Sequence, residues 1–320
     1  MAIREEFFFP SNDGQHRVHA LRWLPDGESP RAVLQLVHGI SEYIGRYDPF
    51  AAWLADQGFL VVGHDHLGHG QTAVGPGELG FLAPQNGWRY LVEDIRTLRV
   101  MMDEQVPGLP YFLLGHSMGS FAVRTYLIDY PGTVDGCILS GTGQESPAIL
   151  FLGQTVARLA RRIRGPKHIS RVLTALTLGG YNAGFRPART GADWISRDTD
   201  IVDTYVADPL CRFVPTTGMF LDMADGLRYI SSPQNLRRMD PDTPVYLFSG
   251  EEDPVGGRGE GVKTVDAFFR VSGCRDHTVR LYENGRHEML NEINREEVYQ
   301  DILDWLEAHL SSEKEERPRA

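Results

Sequence analysis

The order of the apolar runs constrains the fold of this chain more than any other feature. Short uninterrupted apolar runs at 32–37, 59–63, 111–115 and 137–140 alternate with longer stretches whose apolar residues recur at helical spacing. Apolar residues at every position are typical of strands covered on both faces, and parallel strands need crossover helices. The alternation therefore predicts an α/β fold with a mostly parallel central sheet flanked by helices. Two further short strands joined by a turn are predicted within the first 25 residues.

The strand–helix rhythm breaks in the second half of the chain. Residues 144–239 hold apolar stretches at helical spacing and no obvious strand, and the rhythm resumes at 245. An insertion of this length inside an α/β sheet predicts a cap over the ligand end of the strands. We expect residues 1–143 and 240–312 to form the core, 144–239 a helical cap or lid, and 313–320 a charged tail.

Composition excludes several classes of protein. Forty-three acids stand against 32 bases, and the formal net charge of −11 repels phosphate backbones, so no nucleic-acid partner is expected. The three cysteines are far apart and odd in number, which argues against a disulfide framework. The acidic N-terminus lacks the features of a signal peptide, and no apolar run suits a membrane span. We expect a cytoplasmic protein.

The segment Gly115-His116-Ser117-Met118-Gly119 matches the pattern G-x-S-x-G. In that pattern small residues let the backbone turn sharply from strand to helix, and the serine oxygen projects above the sheet. A strand is predicted just before Ser117 and a helix just after it. The alternative is a plain helix N-cap, a role in which serine is also favoured.

A serine nucleophile needs a base, and the base needs an acid that orients it. Asp253 follows the predicted strand at 245–248 and precedes Pro254, which restricts the backbone before it. Glu251 and Glu252 are rivals that spacing does not exclude. A solvated acidic turn is the alternative to a catalytic acid here.

His287 lies in the loop after the predicted strand 278–282, as the order serine, acid, histidine requires. His277 precedes that strand and His309 lies in the last helix, so both fit less well. We expect Ser117 to attack an acyl carbonyl, His287 to take its proton and pass it to the leaving alkoxide, and Asp253 to orient the imidazole.

The tetrahedral oxyanion of such a reaction needs two donors already in place. The backbone N–H of Met118, directly after the nucleophile, is one candidate. The second is the N–H of Ile40, in the loop Val37-His38-Gly39-Ile40-Ser41 after the first long strand. A plain turn is the alternative for this loop.

Three histidines and an aspartate cluster in the segment His64-Asp65-His66-Leu67-Gly68-His69-Gly70. Such a set suggests zinc, but the cluster lacks a helical H-x-x-x-H or a cysteine pair to fix the geometry. A structural loop in which Asp65 accepts backbone N–H groups is preferred. The interpretation therefore includes no metal and no cofactor.

Taken together, these motifs resemble the α/β-hydrolases of the monoacylglycerol lipase and lysophospholipase family, which are serine aminopeptidase S33-like. The matching stretches occur in order over residues 5 to 310: His38-Gly39 with Glu42 and Gly45-Arg46-Tyr47; 65–70; 115–119; Asp208-Pro209-Leu210; Gly250 with Asp253-Pro254-Val255; and 286–292. The resemblance implies Ser117, Asp253 and His287 as the catalytic triad, with the N–H groups of Ile40 and Met118 as the oxyanion donors.

Two positions depart from the pattern of that family. Ser41 stands where members often carry a second glycine, which predicts a stiffer loop, and Thr72 stands where many carry serine. Both leave the acyl and alcohol preferences open.

The predicted cap combines apolar and cationic residues. The apolar flank is a candidate acyl tunnel, or only attaches the cap to the sheet: Ile149, Leu150, Phe151, Leu152, Leu173, Leu176 and Leu178. The cationic residues are candidates for contact with anionic headgroups, or form a solvated helix face: Arg158, Arg161, Arg162, Arg164, Lys167 and Arg171.

The sequence thus predicts a serine hydrolase that cleaves single-chain lipid esters, either monoacylglycerols or lysophospholipids. The cap is a candidate surface for peripheral contact with a membrane. An aminopeptidase or an acyltransferase on the same triad is the alternative within enzymes. A non-catalytic small-ligand-binding protein on the same scaffold is the alternative from another class, because a fold does not determine function.

Overall fold

The structure is a computed structural model that describes residues 1–27, 29–177 and 179–310. The tail predicted at 313–320 lies outside the described residues. The strands of the described part are β1 Ile3–Pro10, β2 Arg17–Leu24, β3 Ala32–Val37, β4 Phe59–His64, β5 Tyr111–His116, β6 Gly136–Ser140, β7 Val245–Gly250 and β8 His277–Tyr282. They form one sheet in the order β1-β2-β4-β3-β5-β6-β7-β8.

The sheet is parallel from β4 through β8, and β1 and β2 form an antiparallel edge. Every residue of β3, β4, β5, β6 and β7 is buried. Burial of both faces explains why these strands are mostly apolar and therefore recognisable in the sequence. The predicted α/β fold is confirmed.

Ten α-helices accompany the strands in the described residues. They are α1 Asp48–Asp56, α2 Gly87–Gln105, α3 Met118–Asp129, α4 Pro147–Arg164, α5 Arg171–Thr177, α6 Thr199–Ala207, α7 Thr217–Tyr229, α8 Pro233–Leu236, α9 Glu260–Ser272 and α10 Arg295–Leu310. Helices α2, α3 and α9 bury their apolar sides on one face of the sheet, and α1 and α10 on the other. The molecule therefore has three layers around two apolar cores.

Residues 144–239, which we call the cap, lie between β6 and β7 and carry α4 to α8. No strand occurs among the described residues of this segment. Helix α4 packs along α7, and α7 packs on α2 and α3 of the core. Within the described part of the chain, no helix has the length and apolar character needed to cross a bilayer.

Two details of the sequence analysis change. His277 is the first residue of β8 rather than a residue before it, and its Nδ1 lies 2.6 Å from Oδ1 of Asp266. Helix α5 is described as far as Thr177, and Leu178, named above in the apolar flank of the cap, lies outside the described residues.

Candidate active site

Ser117 lies in a strained turn between β5 and α3. Its backbone has φ +51° and ψ −121°, a region that residues with a side chain rarely occupy. Gly119 makes the turn possible, because a Cβ at that position would lie 2.0 Å from the carbonyl oxygen of Val37. The two positions explain why a G-x-S-x-G segment folds into this turn rather than into an ordinary helix N-cap.

Asp253 and His287 are brought together from the loops after β7 and β8. The imidazole Nδ1 of His287 lies 2.9 Å from Oδ2 of Asp253, and both side chains are buried. The same carboxylate accepts the hydroxyl of Ser249 at 2.7 Å and the backbone N–H of Val255 at 2.9 Å. These bonds fix the carboxylate and hence the orientation of the ring.

The rival acids lie elsewhere. Glu251 is exposed, and Glu252 is 3.7 Å from the guanidinium of Arg258. Burial by itself raises the pKa of Asp253, but the charge of His287 and the hydrogen bonds outweigh it and lower that pKa. Burial by itself lowers the pKa of His287, and the Asp253 carboxylate outweighs it in the other direction. The pair therefore favours an ionised acid and an easily protonated base.

The loop after β3 is held by its own side chains. The N–H of Gly39 donates to Oε1 of Glu42 at 2.6 Å, and a Cβ at Gly39 would lie 2.7 Å from that oxygen. The N–H of His66 donates to Nε2 of His38 at 3.0 Å, so the proton of that ring is on Nδ1, which donates to the Gly39 carbonyl at 2.7 Å. Because the peptide is planar and trans, a fixed Gly39 carbonyl also fixes the direction of the Ile40 N–H.

A cavity of about 340 Å³ connects this loop with the serine. Ser117, Met118 and Ile40 all line it. Neither the Met118 nor the Ile40 N–H donates to another atom of the described residues. Trp194 lines the cavity, and its ring centroid lies 5.0 Å from that of His287. The N–H groups of Met118 and Ile40 and the hydroxyl of Ser117 therefore lie beside the same apolar cavity.

The remaining lining of the cavity comes mostly from the cap and is predominantly apolar. It includes Ile149, Leu150, Leu152, Leu173, Phe220, Met223 and Leu227. Phe151 is instead 68% exposed and is not among the lining residues. The side chains of Leu176 and Leu178 lie outside what the structure describes.

The histidine-rich loop is structural in its observed contacts. Asp65 accepts the backbone N–H groups of Ile44 and Gln71, each at 2.8 Å, which confirms the prediction for that residue. Burial lowers the pKa of His64 and of His69 to about 4, so both rings are neutral near pH 7. No group of three or more His, Cys, Asp or Glu side chains in the described residues is arranged to hold a metal ion.

An ion-pair network beside the site was not predicted. Arg46 forms a bidentate ion pair with Glu288, in which its two terminal guanidinium nitrogens lie 2.7 and 2.6 Å from the carboxylate oxygens. The Arg46 guanidinium also donates to Oε2 of Glu42 at 3.0 Å. All three side chains are nearly buried, and Glu288 directly follows His287. Glu42 and Arg46 appeared only within a motif of the family, and their partner Glu288 is 242 positions away from Arg46, so no local pattern indicates the pairing.

His116 is a second side chain that the sequence did not single out. Its ring centroid lies 4.6 Å from that of His287. Burial, and then the charge of His287, lower its pKa to about 3, so it stays neutral beside the candidate base. Cys211 is also buried, and burial raises its thiol pKa to about 12, which makes it a poor nucleophile.

The sheet, the strained serine turn and the Asp253–His287 pair define an α/β-hydrolase. Residues 28–294 match the family model described as serine aminopeptidase, S33, and the chain belongs to this family. It is 30% identical to a monoacylglycerol lipase of Mycolicibacterium smegmatis, over 97% of this chain and 99% of that protein. It is 27% identical to the human monoglyceride lipase, over 92% of this chain and 88% of that protein.

A solved structure of an esterase has the same fold as this chain. A highly thermostable carboxyl esterase from Bacillus coagulans, in complex with glycerol, superposes with a TM-score of 0.88. The two sequences are 31% identical, and the match covers 96% of this chain and 99% of that one.

Proposed function

We propose that this carboxylic ester hydrolase cleaves single-chain lipid esters, monoacylglycerols or lysophospholipids, through an acyl-enzyme on Ser117. The observation that carries the proposal is the apolar cavity that reaches Ser117, since burial of an acyl chain contributes roughly 0.8 kcal/mol per CH₂. The names of the M. smegmatis and human relatives support monoacylglycerol as the first substrate to test.

In this mechanism Ser117 Oγ attacks the ester carbonyl while His287 takes its proton. The N–H groups of Met118 and Ile40 donate to the oxyanion that forms. His287, held by Asp253, then gives the proton to the alcohol oxygen as the C–O bond breaks, which leaves the acyl group on Ser117. A water molecule, deprotonated by His287, then attacks the acyl carbonyl. His287 returns the proton to Ser117 Oγ as the C–Oγ bond breaks and the fatty acid leaves.

The test is hydrolysis of a long-chain monoacylglycerol by wild type and S117A. We expect the wild type to release fatty acid and S117A to lose activity by about 10⁶-fold, as expected when a serine nucleophile is removed. The thermal midpoint of S117A serves as the control for folding. Substantial turnover by folded S117A would contradict the proposal.

An aminopeptidase remains the second candidate, because the family model carries that description and Glu145 lines the cavity. A carboxylate there could bind a substrate ammonium group. We expect acyl esters to be turned over faster than matched aminoacyl amides. A preference for the amides would favour the peptidase.

We also propose that the cap contacts lipid surfaces. Ile149 and Leu152 line the cavity and are more than half exposed, so the cavity opens beside the exposed apolar residues of the cap. Phe151, Leu159 and Ile163 extend this exposed apolar surface. Exposed cations, which attract anionic headgroups, lie along the same segment: Arg158, Arg162, Arg164, Lys167 and Arg171. We also propose a cytoplasmic location. The three cysteines are free thiols, which agrees with a reducing compartment.

Vesicles test the membrane contact. Ile163 is 67% exposed on α4, and Val74 is 82% exposed on the core, so I163E and V74E are matched changes. We expect I163E, but not V74E, to reduce co-sedimentation with anionic phosphatidylglycerol vesicles and to slow hydrolysis of vesicle-borne substrate. Hydrolysis of a water-soluble ester should not change in either variant. Equal binding by I163E and wild type would contradict the proposal.

A further inference from the structure

A segment of the cap is hydrogen-bonded directly to the loop that carries Ile40. We call residues 208–213 the cap strap. The hydroxyl of Ser41 donates to the Phe213 carbonyl at 2.8 Å, and the N–H of Arg212 donates to the Ser41 carbonyl at 3.2 Å. The hydroxyl of Tyr43 donates to Oδ2 of Asp208 at 2.9 Å. The residues just after Ile40 are therefore bonded to the cap.

The backbone at this junction is in an unfavourable conformation on both sides. Ser41 has φ +59° and Arg212 has φ +48°, and these two residues share a hydrogen bond. Non-glycine residues in the left-handed region cost energy and persist where the surroundings determine them. Ser41 therefore keeps its hydroxyl contact to the cap despite this cost.

The contact from Tyr43 is also well defined. Asp208 accepts the N–H of Leu210 at 2.8 Å through its other oxygen, which orients the carboxylate toward Tyr43. Burial and the Asp208 carboxylate raise the pKa of Tyr43, so the phenol keeps its proton and donates. This gives a role to the Asp208-Pro209-Leu210 motif, for which the ester chemistry provides none.

Ile40 lies between two anchored stretches of one loop. On the core side, His38 holds the Gly39 carbonyl and Glu42 holds the Gly39 N–H. On the other side, Ser41 and Tyr43 are held by the cap strap. We propose that the cap strap positions the Ile40 N–H for the oxyanion, with Ser41 and Tyr43 as positioning residues. The inference rests on the proposed function, in which Ile40 is the second oxyanion donor.

The test compares Y43F with Y229F. Tyr229 also donates its hydroxyl to an aspartate of the core, Asp129, but through α7 and away from the loop, so the lost group is the same. The substrate is p-nitrophenyl acetate, whose acyl group does not fill the cavity. We expect Y43F to lower kcat about tenfold with KM within about twofold, a smaller loss than removal of an oxyanion donor brings. Y229F should keep both constants.

Further measurements distinguish a role in positioning the Ile40 N–H from general damage to the fold. A trifluoromethyl ketone forms a tetrahedral oxyanion on the serine, so its affinity should fall in Y43F by the same factor as kcat. D208A removes the acceptor of Tyr43 and should resemble Y43F. S41A, which removes the other side-chain contact, should also lower kcat with little change in KM. Thermal midpoints report on folding.

The outcomes are distinguishable. Unchanged kcat in both Y43F and S41A, or an equal loss in Y43F and Y229F, would overturn the inference and leave the proposed function intact. An inactive wild type, or an active S117A, would overturn the proposed function and the inference with it.

Discussion

At the scale of single residues, the proposed mechanism depends on how Asp253 sets the protonation of His287. The two side chains are buried and 2.9 Å apart, so the negative charge acts on the imidazole with little screening. The pKa of His287 is raised above its ordinary value of 6.5. The base must be neutral to accept the proton of Ser117, so activity increases as pH rises through this raised pKa.

The first prediction concerns pH dependence. The acid limb of kcat/KM should have its midpoint above 6.5, because the pKa of His287 is raised. In D253N the charge that stabilises the imidazolium is lost, so the midpoint should move to lower pH while kcat falls by roughly 10⁴. Pre-steady-state and steady-state pH profiles measure both. A D253N midpoint equal to or above that of the wild type would refute this account.

Some candidate residues of this site were easier to recognise from the sequence than others. Ser117 and His287 follow from a motif and from chain order, because strand ends meet at one edge of a parallel sheet. Spacing could not separate Asp253 from Glu251 and Glu252, since the choice depends on which side chain turns inward after β7. The pairing of Arg46 with Glu288 depends wholly on tertiary structure.

At the scale of elements, the cap helices determine the shape of the cavity beside Ser117, which is the proposed acyl site. Leu173 of α5 and Phe220 of α7 are buried in one small apolar cluster, and both line the cavity. A larger side chain at 173 would therefore take space from the end of an acyl chain rather than from the ester.

The second prediction is a change in chain-length preference. L173W should lower kcat/KM for long-chain esters by about fourfold for each methylene that the indole displaces, and spare acetyl esters. L159W makes the same substitution at an exposed position of α4 and should leave the preference unchanged. A series of p-nitrophenyl esters measures this. A uniform loss across the series in L173W would contradict the assigned cavity.

The sequence predicted secondary-structure elements well where both faces of a strand are buried. Strands such as β3 and β5 are buried at every position and mostly apolar, and their ends were placed to within a residue. The cap helices α6 and α7 gave a weaker signal. The buried apolar residues of α6 lie in a small cluster, and those of α7 are divided between a small cluster and the main core. The hydrogen bonds of the cap strap were not predictable, since they join residues more than 160 positions apart.

At the scale of the whole molecule, the ion-pair network links the loop after β3 to the loop after β8. Burial works to raise the pKa of Glu288, but Arg46 outweighs it and lowers that pKa to about 2. Glu42 shares Arg46, and burial raises its pKa. A lowered pKa means that Glu288 stabilises the fold above its unfolded pKa of about 4.3, and that this contribution is lost as pH falls toward 2.

The third prediction concerns this network. E288Q leaves Arg46 buried with less compensating charge, so the free energy of unfolding at pH 7 should fall by about 3–5 kcal/mol. The difference from wild type should shrink as pH falls from 5 to about 2. E297Q removes an exposed partner of Arg280 and should cost at most about 1 kcal/mol. Urea titrations at several pH values measure both, and equal stability of E288Q and E297Q would oppose the assignment.

The central claim is that Ser117 is the activated nucleophile, and covalent labelling tests it most directly. Wild-type protein is treated with a fluorophosphonate, and the adduct is mapped by peptide mass spectrometry. The account predicts one equivalent on Ser117, much slower labelling in H287A, and none at that position in S117A. A fully folded wild type that stays unlabelled, or that carries the adduct on another residue, would contradict it.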